Sequence, residues 1–193
     1  MKPTVIRKIT VSPLTRLLVQ EFATAKGTHK GLDNLLVCLE LSDGTRGQGE
    51  AAIATHITGE TVPRTRRNLE RAARWLEGCD VRDYAGISRR LHEEWPANKA
   101  AIAAVEMAVC DALTRARGIP LWRLFGGRPK KLASDITIVI SSLDETEEKT
   151  RHFYARGFRT FKIKVGRDFD LDVKRTIAVK KIARRSRIII DAN

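Results

Sequence analysis

Gly157–Gly166 reads GFRTFKIKVG, and the alternation within it decides how the second part of the chain folds. Phe161, Ile163 and Val165 alternate with Thr160, Lys162 and Lys164, the period of a β-strand. Lys162 and Lys164 therefore project from one face, two like charges aimed at one place from an element that otherwise suits a core. Around this strand the pattern repeats. LASDITIVISS (132–142) predicts a strand, and SLDETEEKTRHFYARG (142–157) a helix with Ser142 or Asp144 at its cap. After the lysines, DFDLDVKRTIAVKKIARRS (168–186) predicts a helix with acidic residues in its first turn, and RIIIDAN (187–193) a third strand. Strand, helix, strand, helix, strand at this spacing describes parallel βαβ units.

Parallel α/β architectures present functional groups at the C-terminal ends of their strands. By that rule the candidates are Thr137 on the first strand, Lys162 and Lys164 on the second, and Asp191 at the end of the third. An amine beside a second ammonium group and a divalent cation is expected to have a lowered pKa, which would fit it to act as a general base near neutral pH. Asp191 stands where a metal carboxylate would stand, although a Mg²⁺ site recruits further oxygens. Taken singly, a KxK pair also describes two solvated lysines, and a strand-terminal Asp also describes a cap or turn residue.

The first part of the chain has another rhythm. TVIRKITVSPL (4–14) and NLLVCLELSDG (34–44) predict strands, and Asp43-Gly44 marks a hairpin turn leading to a third strand. Between the first two lies TRLLVQEFATAKGTHKGLD (15–33), which reads as a long loop rich in Gly, Thr and Lys, of a length that often carries function. TVPRTRRNLERAARWLEG (61–78) and ANKAAIAAVEMAVCDALTRARG (97–118) predict amphipathic helices, and PLWRLFGG adds a short helical turn.

Composition narrows the classes. The net charge of +13 suggests nucleic acid, but the excess is spread over both parts, aromatics are 6%, and no nucleic-acid-binding motif is present. Lys174, Lys180, Lys181 and Arg184 fall opposite an apolar stripe of Leu171, Ala178, Val179 and Ile182, the pattern of a solvated helix face. Cys38, Cys79 and Cys110 are widely spaced and odd in number, which predicts buried free thiols. No signal peptide or membrane span is evident, so the expectation is a cytoplasmic protein with no nucleic-acid or membrane partner.

The ordered set GQGEAA, ITGET, AAVEMAVCDALTRARGIPLWRLFGG, GFRTFKIKVG and IIIDAN resembles the enolase superfamily. Within it the chain resembles the muconate-lactonizing-enzyme subgroup, and most of all the dipeptide epimerases of the Ala-Glu type. The resemblance implies an α+β capping domain over residues 1–127. It implies for residues 128–193 the first βαβαβ portion of a (β/α) TIM-type barrel, incomplete after its third strand. It implies a Mg²⁺-dependent isomerase that abstracts the proton alpha to a carboxylate. In that pattern Lys164 is the acid/base, Lys162 tunes it, Asp191 is the first of three metal ligands, and Asn193 stands behind it in the same DAN motif. Thr137, Phe22 and Lys26 are the implied substrate contacts. Lys26 sits one place from the position, here Gly27, where Ala-Glu epimerases keep a basic residue.

Two further metal carboxylates and an opposite-face lysine belong to later strands in the family. The expectation is therefore an incomplete and inactive portion of an enzyme for a small-molecule carboxylate, compatible with a homo-oligomer. Cycloisomerase, o-succinylbenzoate synthase or N-acylamino-acid racemase are the alternatives on the same fold. A basic non-enzymatic binding module is the alternative outside it.

Overall fold

Leu35, Val37, Leu39 and Leu41 alternate along one strand and are almost wholly buried, while the residues between them are partly exposed. Each such side chain contributes about 1.5–3 kcal/mol when buried, so this stripe anchors the sheet to whatever covers it. The computed structural model describes residues 4–192 other than Lys26 and Pro129. It divides into two units, the first comprising Met1–Arg16 and Leu32–Pro129, the second Leu17–Gly31 and Lys130–Asn193.

Strands β1 (Ile6–Thr24), β2 (Gly27–Leu41) and β3 (Arg46–Ala51) form a sheet in that order, the Leu17–Gly31 stretch of β1 and β2 belonging to the second unit and the rest to the first. β2 and β3 are antiparallel, with Leu35 opposite Ala51 and Glu40 opposite Arg46. The turn between them uses Gly44 at φ +87°, and the Asp43 carboxylate accepts the Thr45 N–H. Helices α1 (Thr55–Thr58), α2 (Val62–Leu76), α3 (Tyr84–Glu94), α4 (Lys99–Ala116) and α5 (Leu121–Leu124) follow.

Helix α4 lies directly on β3. Ala104, Ala108 and Ala112 face Gly47 and Gly49, where any Cβ would run into the helix backbone. The glycines of GQGEAA are thus packing residues, needed for close approach of helix and strand. ITGET is structural as well. The buried Glu60 carboxylate accepts from the Ala100 N–H at 2.9 Å and Asn98 Nδ2 at 2.8 Å, and so caps the start of α4. Burial pushes the Glu60 pKa up, but hydrogen bonds from Ala100, Asn98 and Thr58 and the Arg64 charge outweigh it and hold it low.

Three readings change here. The segment read as a long loop is a two-stranded ribbon, because β1 and β2 continue through it to a turn after Thr24. Most of its side chains are wholly or partly exposed, so neither face shows an apolar alternation that would have marked a strand. Helix α3, not anticipated, is capped by the Asp83 side chain and buries Ile87 and Leu91. The three cysteines are free and only partly buried.

In the second unit, β4 (Ile136–Ile138), β5 (Thr160–Lys164) and β6 (Arg187–Asp191) form a parallel sheet in sequence order. Helices α6 (Leu143–Ala155) and α7 (Phe169–Ile182) connect them. Ser142 starts α6 with a reciprocal capping box to Glu145, and Asp168 starts α7 by accepting the Leu171 N–H. Ile138, Phe161 and Ile163 pack against Val179 and Ala183 on the helix side. Antiparallel meander with helices, then parallel βαβαβ: this is the expected fold class. Among the described residues no helix is long and apolar enough to cross a membrane.

Candidate active site

The parallel register places the lysines. Thr137 is opposite Lys162, Lys162 opposite Ile189, and Lys164 opposite Asp191. Because Phe161 and Ile163 take the helix-covered face, Thr137, Lys162, Lys164, Ile189 and Asp191 share the other. Both ammonium groups converge on one carboxylate oxygen: Asp191 Oδ2 lies 2.6 Å from Lys162 Nζ and 2.9 Å from Lys164 Nζ. The Lys162 side chain is 33% exposed, that of Lys164 only 11%. Two cations on one face thus have an electrostatic reason to be there.

The hydrogen bond from Lys162 to the Asp191 carboxylate, and then the carboxylate's charge, push the Lys162 pKa up from the ordinary lysine value; the expected lowering belongs to an amine that also faces a divalent cation. Asp191 binds both ammonium groups directly, a contact that strand alternation alone does not convey.

The turn after β5 is tightly specified. Gly166 adopts φ +114°, and its N–H donates to Asp172 Oδ2 at 2.7 Å. A side chain there would also press on Ala25 of the ribbon tip. Arg167 then reaches across to that tip, donating to the Thr24 carbonyl at 3.0 Å and the Thr28 hydroxyl at 3.3 Å. Beyond β4, the Ile140 N–H donates to the Ala23 carbonyl. The ribbon tip is therefore fastened to the C-terminal ends of β4 and β5. Phe22 stands on this tip, 38% exposed. Thr137 sits two register positions before the Lys164–Asp191 pair. Lys26 and Asn193 lie outside the described residues.

Beneath the turn is a group that the sequence reading did not single out. Arg175 on α7 has no exposed surface, and its guanidinium binds Thr146 Oγ1, the Val139 and Lys164 carbonyls, and Asp172 Oδ1. The available signal was Asp172-x-x-Arg175, an i,i+3 ion pair on the stripe that also carries Val179.

As a metal site the arrangement is partial. Asp191 is a hard oxygen donor of the kind magnesium takes. Among the described residues, however, no group of three or more His, Cys, Asp or Glu side chains is placed to hold an ion. These residues fit one ligand of such a site.

Residues 6–126 match the family model for the mandelate racemase / muconate lactonizing enzyme N-terminal domain. The chain belongs to this family. Among its relatives is the hydrophobic dipeptide epimerase of Citrifermentans bemidjiense, 45% identical over 193 residues. That alignment takes in 97% of this chain and 52% of the relative. The aromatic dipeptide epimerase of Herpetosiphon aurantiacus is 35% identical, over 99% of this chain and 54% of its own. Among solved structures, the Enterococcus faecalis dipeptide epimerase complexed with Mg and L-Leu-L-Tyr superposes with a TM-score of 0.92. It is 28% identical, over 98% of this chain and 54% of that one. The chain spans about half the length of the curated relatives it matches.

Proposed function

We propose that residues 1–127 are the capping domain, and 128–193 the first barrel strands, of a magnesium-dependent epimerase acting on dipeptides. The observation that carries this reading is the convergence of Lys162, Lys164 and Asp191 at adjacent strand ends. Lys164, the more enclosed amine, removes or returns the proton alpha to the substrate carboxylate. Lys162 tunes it and holds negative charge. Asp191 supplies one magnesium ligand, and Asn193 of the same DAN motif is the proposed supporting group. Bound there, magnesium would stabilise the charge that develops on the substrate carboxylate as the proton leaves.

Phe22, Lys26 and Thr137 are the proposed substrate contacts, Phe22 from the ribbon tip, Thr137 from β4, and Lys26 from the sequence pattern alone. The relatives named for hydrophobic and aromatic dipeptides favour an apolar side chain in the substrate. The position where Ala-Glu epimerases keep a basic residue, Gly27 here, agrees with that preference.

The test joins residues 1–193 to the remaining portion of the Citrifermentans bemidjiense relative and follows α-proton exchange of hydrophobic dipeptides in deuterated water. Exchange that depends on Mg²⁺ and falls by roughly 10²-fold or more in Lys164→Ala is expected. Unchanged exchange in that variant would remove Lys164 from the mechanism. Residues 1–193 by themselves, with a partial set of metal donors, are expected to give no Mg²⁺-dependent exchange. Robust exchange by them would overturn the division of labour.

A further inference from the structure

A fully buried guanidinium must find partners for its donors, and where it finds them shows what it holds in place. Arg175 finds four. Nε donates to Thr146 Oγ1 at 3.0 Å, Nη2 to the Val139 carbonyl at 2.6 Å, and Nη1 both to the Lys164 carbonyl at 3.0 Å and to Asp172 Oδ1 at 2.9 Å. Val139 follows directly after the last residue of β4, and Lys164 is the last residue of β5. Carbonyls at strand ends run out of ladder partners, and buried ones cannot turn to water. Arg175 donates to carbonyls at the ends of two neighbouring strands. Its partner Asp172 uses the second carboxylate oxygen to accept the Gly166 N–H at 2.7 Å. The backbone is thus gripped at Lys164 by the guanidinium and at Gly166 by the carboxylate.

From this geometry we infer that Arg175, with Asp172, is a positioning residue that fixes the backbone of Lys164 and so aims its amine. The inference rests on the proposed function insofar as it gives Lys164 an acid/base task. The grip on the backbone stands without it. An ammonium group on a flexible stem can swing through several ångströms, and misplacement of a reacting group by about 1 Å is enough to cost roughly 10²-fold in rate. Holding the carbonyl of the same residue limits that freedom from below, without the arginine touching substrate.

Two measurements on Arg175→Met and Arg175→Lys test this. The first is amide hydrogen exchange in residues 1–193. The Gly166 amide is expected to exchange at least about tenfold faster in both variants, while the Leu35–Leu41 amides of the first unit keep their protection. The second uses the joined polypeptide and separates kcat from KM for α-proton exchange. kcat is expected to fall roughly 10²-fold with KM within about twofold, and the single ammonium introduced by Arg175→Lys is not expected to restore it. A folded variant that retains wild-type Gly166 protection and wild-type kcat would overturn the proposal. So would activity that falls only in proportion to the fraction unfolded. Where Arg175→Met does not fold, Arg175→Lys and Asp172→Asn carry the same comparison. If the unaltered joined polypeptide exchanges no α-proton, the proposed function fails, and the Gly166 amide still decides whether Arg175 grips the turn.

Discussion

Lys162 and Lys164 show how much one residue's surroundings alter its chemistry. Period-two alternation was enough to put both amines on one face, and the strand-terminal position of Asp191 was enough to nominate it. The register then sets Lys164 opposite Asp191. What alternation does not convey is that one carboxylate oxygen serves both amines, which raises the Lys162 pKa. A lysine whose folded pKa is raised stabilises the fold fully below its ordinary value of 10.5 and loses that contribution as pH rises through the raised value. Urea denaturation between about pH 9 and pH 12 should therefore show a steeper loss of stability in the wild type than in Asp191→Asn. Parallel curves would mean that the ion pair contributes nothing in solution. Arg175 was illegible for a different reason: on a helix rich in Lys and Arg, one more arginine looks solvated. Only the packing of α6 against α7 reveals that it is not.

Among the elements, the most legible were those with one apolar and one polar face. Helix α4 and strand β2 follow their patterns, and the Ser142 capping box marks the start of α6. The ribbon of β1 and β2 was not legible, because a two-stranded extension whose side chains are mostly wholly or partly exposed gives no burial periodicity to read. Helix α3 left a fainter trace, an Asp83 cap followed by Ile87 and Leu91, and could have been found. The start of α4 was hidden because its cap comes from a distant residue. Asn98 makes no side-chain cap of its own, and Glu60 serves instead. Replacing Glu60 with Gln removes the charge from a buried helix N-terminus, and should cost about 1–3 kcal/mol at neutral pH, read as a lower urea midpoint at constant slope. Because the folded pKa of Glu60 is depressed, its contribution is present above the ordinary value of 4.5 and lost as pH falls through the folded value. The gap between wild type and Glu60→Gln should close on acidification. A gap that persists at low pH would assign the loss to packing.

For the molecule as a whole, burial is uneven. The first unit has a large core in which sheet and helices cover one another, with Leu35, Leu39, Leu91 and Ala108 at 0% exposure. In the second, the helix side of β4 and β5 is covered, but Ile190 on β6 is 61% exposed and Phe169, at the start of α7, is 81% exposed. Val173 and Ile177 continue that apolar strip along α7, and a cavity of about 540 Å³ lies between it and Val165 and Ile190. β6 pairs on one side, with β5, among the described residues. An apolar strip beside a strand edge favours edge-to-edge and face-to-face association. Residues 1–193 should therefore self-associate with rising concentration, and more so in salt that screens the net charge of +13. The double variant Phe169→Glu, Ile190→Thr should scatter less light at equal concentration. Its melting temperature should be unchanged or slightly higher, since a carboxylate in the first turn of α7 suits the helix dipole and threonine suits a strand. Equal scattering from the variant would show that this strip does not drive association. A large fall in melting temperature would show that Phe169 or Ile190 supports the fold despite its exposure.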